Sequence, residues 1–476
     1  MLGFVIQFDQ QSDQPKYIQL YEHIKDEVHT GQLVEGEKLP SIRSVSEALG
    51  VSKSTVEGAY AQLVVEGYIE SRPKSGYYVL RMERFPMLTV KESVRPYTYC
   101  PEGTQQPRAE DASRIRRFAA TDGVEPHLFN FNAWRKMLTK VMDYEQDELI
   151  HYGDRQGEYS LRAAIAKFVH EMRGVVCTPD QIIVGAGVQT LFMLLSALLK
   201  PERPAIAFEY PGFLKGATIF EDYGYETVKI PVKAQGINIE ALAKSSARVV
   251  YVSPAHQYPT GSIMPINNRM KLLKWASEND AYIIEDDYDS VLRYEGVPIP
   301  SLQGLNRGKQ VVHVGAFSKL LMPSLRISFM ILPEDLLTKY VKIKTRYSQT
   351  VSKVEQLTLA HFMREGYFDR HIRKIKKAYA KKNQLILEAL KMKGSDLFHV
   401  IGKTSGLHVV LSFDPVIDVT TAAKKMQAIG IRLEDAGLFE GRKIAVLSYS
   451  GLPDDAIDEA VAEICGAIRR QRLEVT

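Results

Sequence analysis

Lys319 stands in the run Ala316-Phe317-Ser318-Lys319-Leu320-Leu321-Met322-Pro323-Ser324-Leu325-Arg326. A lysine that follows a strand can form a Schiff base with an aldehyde once desolvation lowers its pKa. Ser318 beside it and Arg326 seven residues on supply a hydroxyl and a bidentate cation suited to a phosphate. A second run, Tyr282-Ile283-Ile284-Glu285-Asp286-Asp287-Tyr288-Asp289, carries an apolar strand straight into carboxylates. That places them at the strand's C-terminal edge, where ligands bind in α/β sheets. An aspartate buried there can keep a pyridinium nitrogen protonated, as pyridoxal phosphate needs to act as an electron sink. Four acidic residues together also suit a metal, but no histidine or cysteine lies at ligand spacing. The third run, Ile183-Val184-Gly185-Ala186-Gly187-Val188-Gln189-Thr190, reads as strand, glycine turn and helix start. Backbone N–H groups in such a turn cradle a phosphate. Most lysines are solvated and most glycine turns only connect elements. The three runs together predict a pyridoxal 5'-phosphate pocket.

A different chemistry belongs to the first eighty residues. Ile18, Tyr21, Ile24 and Val28 mark one face of a helix that Gly31 stops. Ser41 caps a second helix with Val45 and Leu49 inward, Gly50 turns the chain, and Ser52 or Ser54 caps a third bearing Val56, Ala59, Tyr60 and Leu63. Gly67–Glu70 and Gly76–Val79 read as short strands around Arg72-Pro73-Lys74-Ser75. Residues 1–80 are therefore predicted to be a winged helix. Its third helix would enter a DNA major groove N-terminus first. Ser52, Lys53, Ser54 and Thr55 then meet bases and phosphates, Ser41 and Arg43 meet phosphates from the preceding helix, and Arg72, Lys74 and Gly76 form the wing. Residues 1–80 hold 7 Lys+Arg against 11 Asp+Glu. Charge alone therefore allows the blander reading, a winged helix used for protein contact.

Between residues 81 and 114 periodicity fails amid Pro86, Pro96, Pro101 and Pro107, which predicts a linker. Over 115–476, apolar runs at Ile182–Val184, Ala205–Phe208, Val249–Val252, Tyr282–Ile284, Val311–Val314 and Ile327–Ile331 alternate with helical ones. That is the pattern of an α/β domain with a largely parallel sheet. Strands near Leu407–Leu411 and Ile444–Tyr449 predict a smaller α+β portion at the end. With 476 residues, 45% of them hydrophobic, the chain can bury a large core without staples. A formal charge of +4 does not by itself announce a polyanion partner. Cys100, Cys177 and Cys465 form neither a disulfide framework nor a CxxC pair. No signal peptide and no membrane-spanning run is read, so a cytoplasmic protein is expected.

The run Leu39-Pro40-Ser41-Ile42-Arg43 through Ser52-Lys53-Ser54-Thr55-Val56, continued by Ala59-Tyr60, Leu63, Glu66-Gly67-Tyr68 and Gly76, resembles the GntR-family helix-turn-helix. Lys53 departs from that family's usual arginine, which keeps phosphate attraction but alters bidentate base reading. The three pocket runs, with residues 115–470 around them, resemble the fold-type I pyridoxal phosphate-dependent aminotransferases. The resemblance implies Lys319 as Schiff-base lysine, Asp286 as partner of the pyridinium nitrogen and Tyr288 on the phenolic oxygen. It implies Gly187, Val188, Gln189, Ser318 and Arg326 around the phosphate, with Phe213 of Glu209-Tyr210-Pro211-Gly212-Phe213 against the ring. Tyr152, followed by Gly153 and Gly157, matches a tyrosine that reaches the phosphate of the other subunit, which implies a homodimer.

Two features depart from the aminotransferases. Their Asn-Pro-x-Gly turn appears as His256-Gln257-Tyr258-Pro259-Thr260-Gly261. Their carboxylate-clamping arginine is missing from Arg442-Lys443-Ile444-Ala445-Val446-Leu447-Ser448-Tyr449-Ser450-Gly451, although Arg442 or Arg432 stand as substitutes. A winged helix joined to a fold-type I aminotransferase-like domain resembles the MocR subfamily of regulators. That subfamily implies operator DNA as partner, a head-to-tail dimer and a sensor domain. Its GABA-responsive members hold the effector carboxylate with an arginine where this chain has Gly451. The missing clamp instead favours regulators of vitamin B6 synthesis that respond to pyridoxal phosphate itself. The alternatives are an amino-acid or GABA sensor and a working aminotransferase.

Overall fold

The computed structural model describes residues 8, 14–81, 125, 127–199, 204–294, 298–402 and 405–475. The chain divides into two compact units, Met1–Thr104 and Gln105–Thr476. Apart from Arg81, the expected linker 81–114 lies outside the described residues, as does Cys100.

In the first unit α1 (Lys16–Thr30) buries Leu20, Tyr21, Ile24 and Val28, and Gly31 closes it in a left-handed conformation. Ile18 is only half-buried; Leu20 takes the inward place. α2 (Ile42–Leu49) starts where the Ser41 hydroxyl accepts the Ser44 N–H at 3.2 Å, and α3 (Lys53–Val65) where Ser52 accepts from Thr55 at 3.1 Å. Each cap satisfies one of the N–H groups a helix start leaves over. Val56, Ala59, Tyr60 and Leu63 pack inward, and the Tyr60 hydroxyl donates to the Pro40 carbonyl at 3.0 Å. β1 (Ile69–Arg72) and β2 (Gly76–Val79) pair antiparallel with Arg72 opposite Gly76. The first strand begins two residues later than Gly67 because Gly67 and Tyr68 complete the turn out of α3. Arg72 therefore ends a strand rather than opening the turn.

The second unit is built on β3 (Ile182–Ala186), β4 (Ala205–Tyr210), β5 (Glu226–Lys233), β6 (Gly236–Ile237), β7 (Val249–Val252), β8 (Tyr282–Asp287), β9 (Val311–Ala316) and β10 (Ile327–Ile331). They form one sheet in the order β3-β10-β9-β8-β7-β4-β5-β6. β10 and β6 run against the rest. β7 and β10 are buried at every position, as a sheet covered on both faces requires. β5, absent from the sequence-derived strands, alternates in burial and contains Pro231, so its apolar signal is weak.

β11 (His399–Ile401), β12 (His408–Phe413), β13 (Leu433–Phe439) and β14 (Arg442–Ser448) form a second, antiparallel sheet in the order β11-β12-β14-β13. A long helix, Tyr367–Gly394, packs its Ile386 and Leu390 into the core of that lobe. On this helix Lys382 is buried; it bonds Glu125 and lies 3.7 Å from Asp454. The Lys382 amine also donates to the Ser450 and Leu452 carbonyls, and the Glu125 N–H donates to the Tyr379 hydroxyl at 2.9 Å. Among the described residues no helix is long and apolar enough to cross a membrane.

Candidate functional site

β3, β4, β7, β8 and β9 point the same way, so their C-terminal ends share one edge. β3 leads into Gly187 and the helix Val188–Leu199, and β4 into Pro211, Gly212 and Phe213. β7 leads towards His256, β8 carries Asp286 with Tyr288 just beyond, and β9 opens onto Ser318 and Lys319.

On one side of this edge Gly187 takes φ +90°, and a Cβ there would fall 2.1 Å from Nη2 of Arg326. Only glycine lets the guanidinium lie against the turn. Arg326 itself sits at φ +51°, turning the chain from Pro323–Leu325 into β10. Val188 and Gln189 open the helix beside it, with partial positive charge at that end. Ser318 and Lys319 are half-buried.

On the other side Asp286 accepts a hydrogen bond from the Tyr251 hydroxyl, and the Phe213 ring lies 6.0 Å from that of Tyr251. Burial pushes Asp286 up to about 7; Tyr251 opposes this, while Asp287 and Asp289 add to it. Burial also lifts Glu209 to about 8, against the Ser253 N–H and Gln257. His256 Nδ1 lies 3.0 Å from the Tyr288 hydroxyl and 2.7 Å from Asp289 Oδ1. Its ring stacks on Tyr288 at 5.7 Å and on His408 at 5.5 Å, and Tyr258 meets Tyr288 and His408 edge-on. Burial, then the charges of His256 and Lys319, hold His408 at about 4 against the pull of Asp289.

The structure thus joins Gly187 to Arg326, Phe213 to Asp286 through Tyr251, and Tyr288 to the neighbourhood of Lys319 through His256 and His408. Tyr152 stands apart and fully exposed. Sequence reasoning missed Tyr251 and His408, and it named Asp289 only as a member of the acidic run.

The acidic cluster does not act as one site, because strand period two turns its members to opposite faces. Behind β8, Arg173 reaches Asp287 at 3.0 Å and Glu285 at 3.7 Å, while His313 Nδ1 meets Glu285 at 3.3 Å. Burial pushes Glu285 up, but His313, Arg173 and the Leu302 N–H outweigh it and hold the carboxyl at about 2.

Neither arginine weighed as a carboxylate clamp is free. Arg442 lies 3.1 Å from both Asp414 and the Ser412 hydroxyl, and Arg432 lies 2.7 Å from Glu434. In the turn that departs from Asn-Pro-x-Gly, Gln257 bonds inward to the Pro211 carbonyl and to Thr260. Tyr258 takes the place before the proline.

In the first unit Lys53, Ser54, Arg72 and Lys74 are exposed on the helix start and wing, and Thr55 and Gly76 are half-buried. The Ser52 and Ser41 hydroxyls serve first as caps. Arg43 pairs with Glu47 at 2.8 Å, and Arg72 pairs with Glu70 while lying 4.3 Å over the Tyr78 ring. Lys38, not singled out from sequence, lies 5.9 Å over the same ring and adds a cation to the wing.

Residues 16–79 match bacterial regulatory proteins of the gntR family, and residues 125–463 match aminotransferase class I and II. The chain is 38% identical to the HTH-type transcriptional regulator YdeL of Bacillus subtilis, over 96% of this chain and 97% of YdeL. It is 30% identical to the probable rhizopine catabolism regulatory protein MocR of Rhizobium meliloti, over 96% and 95%. It is also 30% identical to the HTH-type pyridoxine biosynthesis transcriptional regulator PdxR of Corynebacterium glutamicum, over 94% and 95%. The multiple substrate aminotransferase of Thermococcus profundus shares the fold of the second unit, with a TM-score of 0.68 at 24% identity over 77% of this chain and 95% of the enzyme. Both units and their order are common to the regulators, and the chain belongs with them to the MocR subfamily of GntR-type transcriptional regulators.

Proposed function

We propose that the second unit binds pyridoxal 5'-phosphate and that occupancy sets the affinity of the winged helix for operator DNA, in control of vitamin B6 synthesis. The pocket residues fit the cofactor. The missing Cβ of Gly187 lets the Arg326 guanidinium lie against the turn, which brings a bidentate cation to the start of the helix where a phosphate would sit. Asp286, with the Tyr251 hydroxyl as its hydrogen-bond donor, can take a second donor from a ring nitrogen. In this reading Lys319 holds the aldehyde carbon, Tyr288 the phenolic oxygen and Phe213 a ring face, while Gly187, Val188, Gln189, Ser318 and Arg326 hold the phosphate. Bound pyridoxal phosphate supplies an electron sink. One observation favours the cofactor over an amino acid as the signal. Arg442 and Arg432 are engaged by Asp414 and Glu434, and the Ile444–Leu447 stretch of β14 is aliphatic, so neither arginine is placed to clamp a substrate carboxylate.

The same reading divides the chain into a DNA-binding domain at 1–80, a linker at 81–114 and a sensor and dimerisation domain at 115–476. It makes the active species a cytoplasmic, head-to-tail homodimer in which exposed Tyr152 reaches the partner's phosphate. Ser41, Arg43, Ser52, Lys53, Ser54, Thr55, Arg72, Lys74 and Gly76 form the DNA face. Linkage sets the scale: a ligand shifts operator affinity only by its own preference between two arrangements, typically 5- to 150-fold.

The test is operator binding by the full chain with and without pyridoxal phosphate, alongside the near-visible absorption spectrum during addition of amino acids including GABA. A borohydride-sensitive band that no amino acid moves, with cofactor control of DNA binding lost in Lys319→Ala, supports the reading. Full cofactor control in Lys319→Ala refutes it. A band shifted by one amino acid makes that amino acid the signal, and turnover with it would make the unit an aminotransferase.

A further inference from the structure

The helix Tyr367–Gly394 carries a row of cations that neither the fold nor the pyridoxal phosphate pocket uses. Arg370, Arg373, Lys374, Lys377 and Lys381 are all exposed. At 3.6 residues per turn their positions fall within about 100° of one another, one stripe along about 16 Å of helix. Phe368, Ile372, Ile375 and Tyr379 bury the other face, so the stripe is held outward.

Little in the second unit neutralises this stripe. Among the described residues no carboxylate pairs with Arg370, Arg373, Lys374 or Lys377; Lys381 alone has one, Asp454 at 3.4 Å. The Lys374 amine donates to the carbonyls of His127 and Leu128 at 3.0 Å, which fixes its position and leaves its charge uncancelled. Exposed Asp369 stands beside the stripe without pairing to it. Glu365, near its start, is taken by Lys140 at 2.6 Å, and the charge of Lys136 also faces it. Residues 105–124, outside the described residues, hold 4 Arg against 3 Asp+Glu and so bring no surplus of negative charge. A face that only met water would gain from alternating Glu and Lys four residues apart. Here Arg370 and Lys374, Arg373 and Lys377, and Lys377 and Lys381 are like-charged at that spacing, which disfavours the helix unless an external polyanion answers them.

Charge balance indicates which polyanion. Residues 1–80 hold 7 Lys+Arg against 11 Asp+Glu, whereas the rest of the chain holds 54 against 46. A net acidic winged helix supplies little of the sequence-independent attraction that carries a regulator to DNA. The surplus lies in the second unit, and the stripe sets it in a line. A duplex rises about 3.4 Å per phosphate of one strand, so the stripe's length spans about five phosphates. We propose that this helix face is a second DNA-binding surface, which grips the duplex backbone whatever its sequence. The proposal rests on the chain being a DNA-binding regulator and not on what occupies the Lys319 pocket.

Anisotropy titration of a labelled random-sequence duplex with the full chain, over a series of KCl concentrations, tests it. In Arg373→Gln/Lys377→Gln the slope of log affinity against log salt should shrink by about 0.9 per lost contact, and affinity near 0.1 M salt should fall roughly tenfold to a hundredfold. Lys424→Gln/Lys425→Gln removes the same charge from exposed positions of the helix Val419–Ala428 and should keep the wild-type slope. The urea midpoint of Arg373→Gln/Lys377→Gln should equal or exceed that of the wild type, because like charges have been removed. An unchanged slope in Arg373→Gln/Lys377→Gln means a merely solvated face and overturns the proposal. An equal loss in Lys424→Gln/Lys425→Gln means an effect of net charge and does the same. A midpoint well below the wild type makes the two cations part of the fold, with the same consequence. Labelled polyglutamate should bind far more weakly than the duplex; equal affinity would replace DNA with an acidic protein as the partner.

Discussion

Replacing Asp286 with asparagine separates what this carboxyl does for a ligand from what it does to the fold. In the folded chain burial pushes it up to about 7, whereas its ordinary value is 3.8. Between those values the folded state keeps a proton that the unfolded state has released, so stability falls as pH rises through that window. At about 1.36 kcal/mol per pH unit, the effect is on the order of 1.5 kcal/mol at pH 5 and on the order of 4 kcal/mol above pH 7. Asparagine keeps an acceptor for Tyr251 and carries no charge. Cofactor-free Asp286→Asn should therefore be more stable than the wild type, with a margin that widens by on the order of 3 kcal/mol between pH 5 and pH 8. Glu209, lifted to about 8, titrates in both proteins and largely cancels in the difference. Urea unfolding of the full chain at the two pH values measures the margin. The same variant should bind pyridoxal phosphate roughly ten- to a hundredfold more weakly, through one lost charge-assisted hydrogen bond. A margin that is zero at pH 8, or equal at both pH values, would refute the reasoning.

Gly187→Ala places a Cβ 2.1 Å from Arg326 Nη2 at φ +90°. It should weaken pyridoxal phosphate binding at least tenfold in an absorption titration and add about 1–3 kcal/mol of strain; unchanged affinity would clear the turn of any phosphate role. Lys53→Ala, at the exposed start of α3, should lower operator affinity and reduce the log–log salt slope by about 1 per removed contact. An unaltered slope would remove Lys53 from the phosphate contacts. Arg173→Met leaves Glu285 and Asp287 buried without their guanidinium and should destabilise the chain by about 3–5 kcal/mol in urea unfolding. A loss under about 1 kcal/mol would mean that His313 alone balances them.

Local features were legible in the sequence wherever one residue suffices to signal them. Ser41 and Ser52 as caps, Gly31 and Gly50 as stops, and the fully buried β7 and β10 all appear in the structure where their residue types point. Pairings across the sheet were not. Tyr251 reaches Asp286 because β7 and β8 align Tyr251 with Ile284, two residues before Asp286 on the same face. No local pattern fixes that register. His408 joins His256 only because β12 returns more than a hundred residues later. The run of four carboxylates invited treatment as a unit, and only the partners show that it is divided among three environments: Arg173 and His313 around Glu285 and Asp287, Tyr251 on Asp286, and His256 on Asp289.

Glu125 is held at both its side chain and its backbone. Its carboxylate meets buried Lys382, whose amine also holds carbonyls of the turn after β14, and its N–H grips Tyr379 one helical turn before Lys382. One ammonium, carried by the long helix, therefore neutralises Glu125 and gathers carbonyls of the C-terminal lobe, so a change at Lys382 reaches both attachments at once.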